Sequence, residues 1–200
     1  IEPSILLLRR SEFLERSAVA ASVRVLDVER LRSLRNLRKI LAAVRWAKRE
    51  GFAVAHVFFN DSALVFPLPL SLAGIRVIVS RGDLGFWYTK GNLPWLRLNV
   101  RFVNAVVANC EAVKRVVVDE ENYPSEKVHV IYNGITRNLQ ESPSDVRSHV
   151  DLPAGARLLV LVANLRPIKR IADAVSALGL LRADFPDLHL AIVGEDGDGK

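Results

Sequence analysis

The sequence predicts an α/β fold, in which parallel strands alternate with helices. Short apolar runs rich in Val, Ile and Leu alternate with stretches of helical periodicity from one end of the chain to the other. Several of these runs contain almost no polar residue, which is typical of strands covered on both faces. The regular alternation favours parallel sheets joined by crossover helices.

The elements are assigned from this periodicity, strands from short apolar runs and helices from core-facing residues that recur every three or four positions. The helices are expected at residues 29–50, 62–72, 94–103, 111–119 and 167–183. The strands are expected at residues 23–28, 53–58, 75–80, 104–108, 128–132, 158–163 and 188–193.

The pattern is interrupted once, in a stretch of Ser, Pro, Gly and charged residues without a sustained period. We therefore expect one Rossmann-like domain over residues 1–135, a linker over 136–156, and the first strand–helix–strand of a second Rossmann-like domain over 157–200. The chain begins with Ile and contains no Met, so we expect both domains to be partial.

The amino-acid composition limits the kinds of ligand and surface that the chain is expected to bind. Residues 1–135 carry 20 basic and 13 acidic side chains, an excess suited to an anionic membrane surface or a phosphorylated ligand. Nucleic acid is not expected, because no zinc spacing or RNA-binding signature accompanies the charge. Charges and prolines interrupt every apolar run before membrane-spanning length. A single cysteine favours a reducing, cytoplasmic location.

A basic turn follows the strand expected at residues 158–163. Pro167 suits the first position of the next helix, whose N-terminus would lie at the carboxyl end of a strand, where open α/β sheets bind ligands. Arg166 and Lys169 are three residues apart and can reach the same anion. The turn is interpreted as a diphosphate site, with an ordinary solvated basic turn as the alternative.

Four segments resemble family 4 glycosyltransferases of GT-B fold, in the order and spacing of that family. They are VVANCEAV at residues 106–113, KVHVIYNGI at 127–135, ANLRPIK at 163–169 and AIVG at 191–194. The resemblance implies an acceptor-side domain over residues 1–135 and the start of a nucleotide-sugar-binding domain over 157–200. It further implies transfer of a sugar from a nucleoside diphosphate sugar with retention of anomeric configuration.

The resemblance also implies roles for donor-site residues. Lys169 matches the lysine that holds the donor diphosphate, where a cation stabilises the charge that develops as the sugar departs. Asn164 stands where the family has an arginine, and we expect Arg166 to supply that charge. Arg170 replaces a family glycine. Neither a metal nor another cofactor is expected, since the basic residues can neutralise the diphosphate.

Two loops are expected to line the donor cleft by the same resemblance. Asn133 and Gly134 match the Asn-Gly that leaves the first domain, where Gly134 would permit a positive φ; a plain turn is the alternative. Gly194 and Glu195 match the loop whose backbone approaches the nucleotide.

Acceptor-side residues are expected after the strand at residues 75–80. Asp83 is the candidate catalytic carboxylate, which would hold a sugar hydroxyl or assist deprotonation of the acceptor, and Arg81 is the candidate for an acceptor phosphate. A turn capped by Asp83 is the alternative. His56 is interpreted as a core or cleft-edge histidine.

The helix expected at residues 29–50 carries leucines and Val44 on one face and crowds arginines and lysines elsewhere. It fits either a solvated surface or attraction to anionic lipid, which would suit a lipid-linked acceptor and peripheral binding at the inner membrane face.

The leading hypothesis is a cytoplasmic glycosyltransferase of polysaccharide biosynthesis. A non-catalytic module for a phosphorylated or sugar ligand and a sugar-nucleotide epimerase are the alternatives.

Overall fold

A computed structural model describes residues 2–10, 21–28, 33–134, 147 and 152–195 of the chain. The chain divides into two compact units, Ile1–Ile135 and Thr136–Lys200. Every strand pairing in the described residues is parallel. Most of the linker expected at 136–156 lies outside the described residues, as do residues 29–32 of the first expected helix.

Within its described residues, the first unit contains two parallel sheets and five helices. Short 3₁₀ turns at Val100–Phe102 and Ser125–Lys127 complete its connections. Its elements are β1 (Ser4–Leu7), β2 (Ser22–Val25), α1 (Leu34–Arg49), β3 (Val54–Val57), α2 (Asn60–Val65), α3 (Pro67–Leu72), β4 (Arg76–Arg81), α4 (Leu93–Asn99), β5 (Ala105–Ala108), α5 (Glu111–Glu121) and β6 (Val128–Val130).

The larger sheet has the strand order β3-β4-β5-β6. Side chains alternate across it, and one face supplies Val57, Val77, Val79, Val106 and Val128 to the core, each at most 6% exposed. Valine suits this position because its branched side chain packs well on a pleated surface. Because the four strands are parallel, the carboxyl ends of β3 to β6 lie at one edge of the sheet, where open α/β sheets bind ligands.

The smaller sheet pairs β1 with β2. β1 was not among the strands expected from the sequence. The pairing continues past both strands, where the Leu26 N–H donates to the Leu7 carbonyl at 2.8 Å and the Val28 N–H to the Leu8 carbonyl at 2.7 Å. Val28 ends this segment in the core, at 1% exposure.

The buried face of α1 differs from the expected one. Ile40, Ala43 and Val44 are buried, but Leu37 is 48% exposed and Leu41 36% exposed. Of the face that carries the leucines, Val44 is therefore buried while Leu37 and Leu41 are exposed. Both stripes fit a helical period, and contacts with the rest of the unit select the one that is buried.

The helix expected at residues 62–72 is two helices, α2 and α3, that meet at Phe66. Pro67 opens α3 and has no N–H to donate to the Ala63 carbonyl, so the first helix ends there. The side-chain amide of Asn99, buried in α4, donates to the carbonyls of Ala63 at 3.0 Å and Leu64 at 3.2 Å. Asn99 thus satisfies groups that the proline leaves without a helical partner.

The described part of the second unit contains β7 (Arg157–Val162), a 3₁₀ turn at Pro167–Lys169, α6 (Ile171–Leu181) and β8 (Leu188–Val193). Its two strands pair in register from Arg157 and Leu188 onward. On β7, Val160 is 48% exposed and Val162 76% exposed within the described residues.

No helix in the described ranges is both long and apolar enough to span a bilayer.

Candidate functional site

The carboxyl ends of β7 and β8 bring three of the expected donor-site residues together. Pairing continues beyond the strands, with the Ala163 N–H donating to the Val193 carbonyl at 2.9 Å and the Leu165 N–H to the Glu195 carbonyl at 2.9 Å. Asn164 and Gly194 therefore lie side by side on the segments that continue β7 and β8, and Glu195 directly follows Gly194. All three are exposed, as a ligand-contacting position requires.

Gly194 is a glycine for a steric reason. A Cβ atom at this position would overlap the carbonyl group of Ala163. Any side chain at this position would therefore force the two backbone segments apart where β7 and β8 end. The sequence identified Gly194 by resemblance, but only the structure gives the contact that requires it.

The turn that carries Lys169 differs from the expected helix start. Pro167 opens a 3₁₀ turn, and α6 begins four residues later at Ile171. Arg170, between the two, has a φ of 52° in the left-handed region, so the backbone cannot run on as one helix. The expectation that Pro167 begins the long helix is therefore wrong. A positive φ would also suit the glycine that the resemblance implies at this position.

The side chains of this turn differ in their partners. Arg170 forms an ion pair with Asp173, with Nε and Oδ2 2.7 Å apart. Lys169 is exposed, and within the described part of the chain no hydrogen bond or ion pair holds its ammonium group. Arg166 is exposed as well, and its N–H donates to the Asn164 carbonyl at 2.7 Å. The turn thus presents Lys169 to solvent.

In the first unit, Arg81 is not presented to solvent. Its side chain is 3% exposed and pairs with Glu121, which is 0% exposed. Nε and Nη2 of Arg81 donate to the two carboxylate oxygens of Glu121 at 2.7 and 2.8 Å. Burial opposes the charged form, but the hydrogen bond and charge of Glu121 outweigh it and raise the pKa of Arg81. This buried pair argues against the expected contact of Arg81 with an acceptor phosphate.

Asp83 lies just beyond β4 and is half-buried. Its Oδ1 accepts a hydrogen bond from the Gly85 N–H at 2.8 Å, so the carboxylate caps the turn. This is the alternative role considered for Asp83. The catalytic role stays a prediction.

His56 and Ser80 form a contact that the sequence did not predict. Nε2 of His56 and Oγ of Ser80 are 2.8 Å apart, and the imidazole lies against the Phe58 ring with centroids 4.1 Å apart. Burial lowers the pKa of His56. The register was the missing signal: His56 lies opposite Ile78, which places Ser80 on the same face one step further along.

Asn133 and Gly134 follow β6, which ends at Val130 rather than at residue 132. Both are exposed. Gly134 does not have a positive φ, and a Cβ atom there would meet nothing within 4 Å. The expectation that Gly134 supplies a left-handed turn is wrong, because the chain leaves β6 in a conformation open to any residue.

The described residues contain no group of three or more His, Cys, Asp or Glu side chains arranged to hold a metal ion.

Parallel strands joined by helices, with a glycine-dependent contact at the strand ends, define a Rossmann-like α/β protein. The chain belongs to Glycosyltransferase Family 4, whose model matches residues 1–139. A curated relative, D-inositol 3-phosphate glycosyltransferase of Thermobispora bispora, is 27% identical over 107 residues, which cover 50% of this chain and 25% of that protein.

Two solved structures share the fold. One is Anabaena HepE in complex with UDP and glucose, with a TM-score of 0.70 and 21% identity over 90% of this chain and 50% of that one. The other is a glycosyltransferase from Rickettsia africae, with a TM-score of 0.67 and 10% identity over 98% of this chain and 61% of that one. The chain thus spans half to three-fifths of these structures. The predicted fold class, α/β of GT-B type, is confirmed.

Proposed function

We propose that this protein transfers a sugar from a nucleoside diphosphate sugar to a saccharide or lipid-linked acceptor, with retention of anomeric configuration. Membership of the glycosyltransferase family supports the reaction class. The observation that carries the donor assignment is the exposed Lys169 on the turn that follows Asn164. This turn lies at the ends of β7 and β8, where Gly194 lets the two backbone segments approach closely. The sugar is proposed to be a hexose.

In this proposal the second unit binds the donor. Lys169 and Arg166 contact the diphosphate, whose charge grows as the bond to the sugar breaks, and a cation fixed beforehand stabilises that charge. Asn164, Gly194 and Glu195 line the donor site, and Asn133 and Gly134 lie at the exit from the first unit. UDP in the HepE complex supports a nucleoside diphosphate as the ligand class. No metal is proposed, because the basic residues neutralise the diphosphate.

The first unit is proposed to bind the acceptor. Asp83 is the proposed catalytic carboxylate, and its second oxygen would receive a hydrogen bond from an acceptor hydroxyl while the first caps the turn. Because Arg81 is paired with Glu121, it is proposed to act through structure rather than by contact with acceptor.

The donor assignment is tested with Lys169→Ala. Calorimetry with UDP should show an affinity lower by about tenfold to a hundredfold, the effect of one hydrogen bond between charged groups. The matched control is Arg182→Ala, which also removes one positive charge but lies at the opposite end of α6, whose 11 residues span about 16 Å. Equal losses in both variants would mean that UDP responds only to net charge, and the assignment would fail.

The reaction class is tested with the whole gene product, UDP-glucose, UDP-N-acetylglucosamine or GDP-mannose as donor, and octyl glucoside as acceptor. A glycosylated octyl glucoside with the anomeric configuration of the donor supports the proposal. An inverted product contradicts retention. Interconversion of donor sugars without acceptor would identify an epimerase, and UDP binding without turnover would identify a non-catalytic module.

We also propose that the first unit binds the cytoplasmic face of a membrane that supplies a lipid-linked acceptor for polysaccharide synthesis. The exposed Leu37 and Leu41 lie on α1 among exposed cations, a combination that suits an interface with anionic lipid better than water. The exposed cations of α1 are Arg35, Arg38, Arg45, Lys48 and Arg49.

Sedimentation with lipid vesicles tests this surface. Binding to vesicles that contain phosphatidylglycerol should exceed binding to pure phosphatidylcholine, and Leu37→Ser should weaken it severalfold. Lys39→Ala is the control, because the Lys39 ammonium is already bonded to the Asp27 carbonyl at 2.6 Å. Equal binding to charged and neutral vesicles would contradict the proposal.

A further inference from the structure

A buried ion pair joins the end of β4 to the end of α5. Glu121 lies in the last turn of α5, directly after Asp119 and Glu120, where the partial negative charge of the helix terminus disfavours a carboxylate. Burial of Glu121 adds a cost that is offset only by good partners. Neither the charge at the helix terminus nor solvation therefore explains a buried glutamate at position 121. The side chains that pair with its carboxylate do explain it.

One of those partners lies in the loop of residues 82–92, which connects β4 to α4. The Tyr88 hydroxyl donates to Oε1 of Glu121 at 2.5 Å. Burial, with a further contribution from the charge of Glu121, raises the pKa of Tyr88, so the hydroxyl keeps its proton and acts as a donor. Glu121 thus receives hydrogen bonds from Arg81 at the start of the loop and from Tyr88 in its middle.

Further contacts brace the 82–92 loop from within. Gly85 has a φ of 75°, and a Cβ atom there would collide with the Tyr88 ring, so the ring packs directly on the backbone. The Tyr88 N–H donates to the Gly85 carbonyl at 2.9 Å. The Asn92 side chain donates to the Trp87 carbonyl at 2.8 Å and accepts from the Thr89 N–H at 2.7 Å. The loop is therefore held in one conformation before any ligand arrives.

Two polar atoms, one within this loop and one directly after β5, have no hydrogen-bond partner among the described residues. Nε1 of Trp87 and Oδ1 of Asn109 are buried and make no hydrogen bond within the described ranges. Asn109 belongs to the same site, since its Nδ2 donates to the Gly82 carbonyl at 3.2 Å. One atom is a donor and the other an acceptor, and a ligand rich in hydroxyl groups can satisfy both kinds.

We propose that Arg81, Glu121 and Tyr88 are positioning residues that hold the 82–92 loop, and Asp83 with it, in the conformation that binds a hydroxyl-rich acceptor. This inference rests on the proposed glycosyltransferase function. It assigns to Arg81 a role through Glu121 in place of a contact with acceptor phosphate. The network acts by preorganisation, which lowers the entropic cost of binding the acceptor and leaves the donor site unchanged.

The test is Tyr88→Phe in the whole gene product. This variant keeps the ring on Gly85 and the Arg81–Glu121 pair, and removes a single hydrogen bond. The KM for octyl glucoside should rise about tenfold, the effect of one hydrogen bond to a charged group. The KM for donor should not change, because the proposed donor site lies in the second unit.

Hydrogen exchange gives a second readout, independent of turnover. The amides of Gly85 and Tyr88 should exchange faster in Tyr88→Phe, since the loop opens more often. Glu121→Gln should accelerate the same amides further. The control is Glu126→Gln, the same exchange at an exposed site five residues away, which should leave both exchange and kinetics unaltered.

Each outcome decides a separate step. Unchanged exchange in Tyr88→Phe overturns the network. Faster exchange with unchanged KM for octyl glucoside shows that the loop does not serve the acceptor and overturns the positioning role. Equal rises in the KM for octyl glucoside and the KM for donor indicate a general structural role and overturn it as well. A wild-type protein that turns over none of the three donors refutes the proposed function, and the acceptor role with it.

Discussion

The two units treat positive charge near the end of a strand in opposite ways. Arg81 ends β4 with a buried guanidinium held by Glu121, whereas Lys169, after β7, is exposed with an ammonium group that no described residue holds. A cation that already has a buried partner organises the protein around it. An exposed cation remains available to an anion from solution. The two basic residues look alike in the sequence, but Arg81 is proposed to position the protein around it and Lys169 to bind an anion.

The largest expected effect comes from breaking the buried pair. Glu121→Gln should lower the free energy of unfolding of the first unit by about 3–5 kcal/mol, because Arg81 keeps its charge and loses its counter-charge in a buried site. Urea unfolding followed by tryptophan fluorescence measures this, since Trp46, Trp87 and Trp95 all lie in the first unit.

The comparison is completed by Lys169→Gln in the second unit. Circular dichroism should show a change within about 0.5 kcal/mol, as for other exposed substitutions. The double variant Arg81→Met with Glu121→Leu should recover much of the loss, since no unpaired charge remains buried. If Glu121→Gln were as mild as Lys169→Gln, the contrast between the two cations would be wrong.

A smaller effect is expected at the strand ends of the second unit. Gly194→Ala should destabilise that unit by about 1–3 kcal/mol, because the added methyl group overlaps the Ala163 carbonyl. Gly179→Ala is the control: it lies within α6 with nothing within 4 Å of its Cβ position, and should stabilise by up to about 1 kcal/mol. Hydrogen exchange of the β7 and β8 amides distinguishes the two variants. Similar exchange in both would contradict the close contact.

The smallest effect concerns pH and the His56–Ser80 contact. Burial lowers the pKa of His56 below its ordinary value of 6.5, so the unfolded chain binds the proton more readily than the folded one. Stability of the first unit should therefore fall as the pH drops below about 6.5. Fluorescence-monitored unfolding at pH 7.5 and pH 5.5 should show a steeper loss in the wild type than in His56→Gln. Equal pH slopes would contradict this assignment.

Some features of the site could be predicted from local sequence and others could not. The strand at residues 188–193 was predicted with its observed bounds, and Gly194 directly after it was singled out. The bounds of the long last helix were wrong, because the left-handed Arg170 interrupts a run that periodicity alone reads as continuous. The His56–Ser80 contact depends on strand register, which no single strand reveals.

The sequence by itself determined the alternation of strands and helices from β2 onward, the parallel α/β class and the resemblance to the glycosyltransferase family, because these follow from local periodicity and short motifs. Tertiary structure alone decided which face of α1 is buried, and that Arg81 meets Glu121 across 40 residues of chain. The physical reason is that periodicity is set by neighbours within one or two turns, whereas burial and charge pairing depend on groups that only the folded chain brings together.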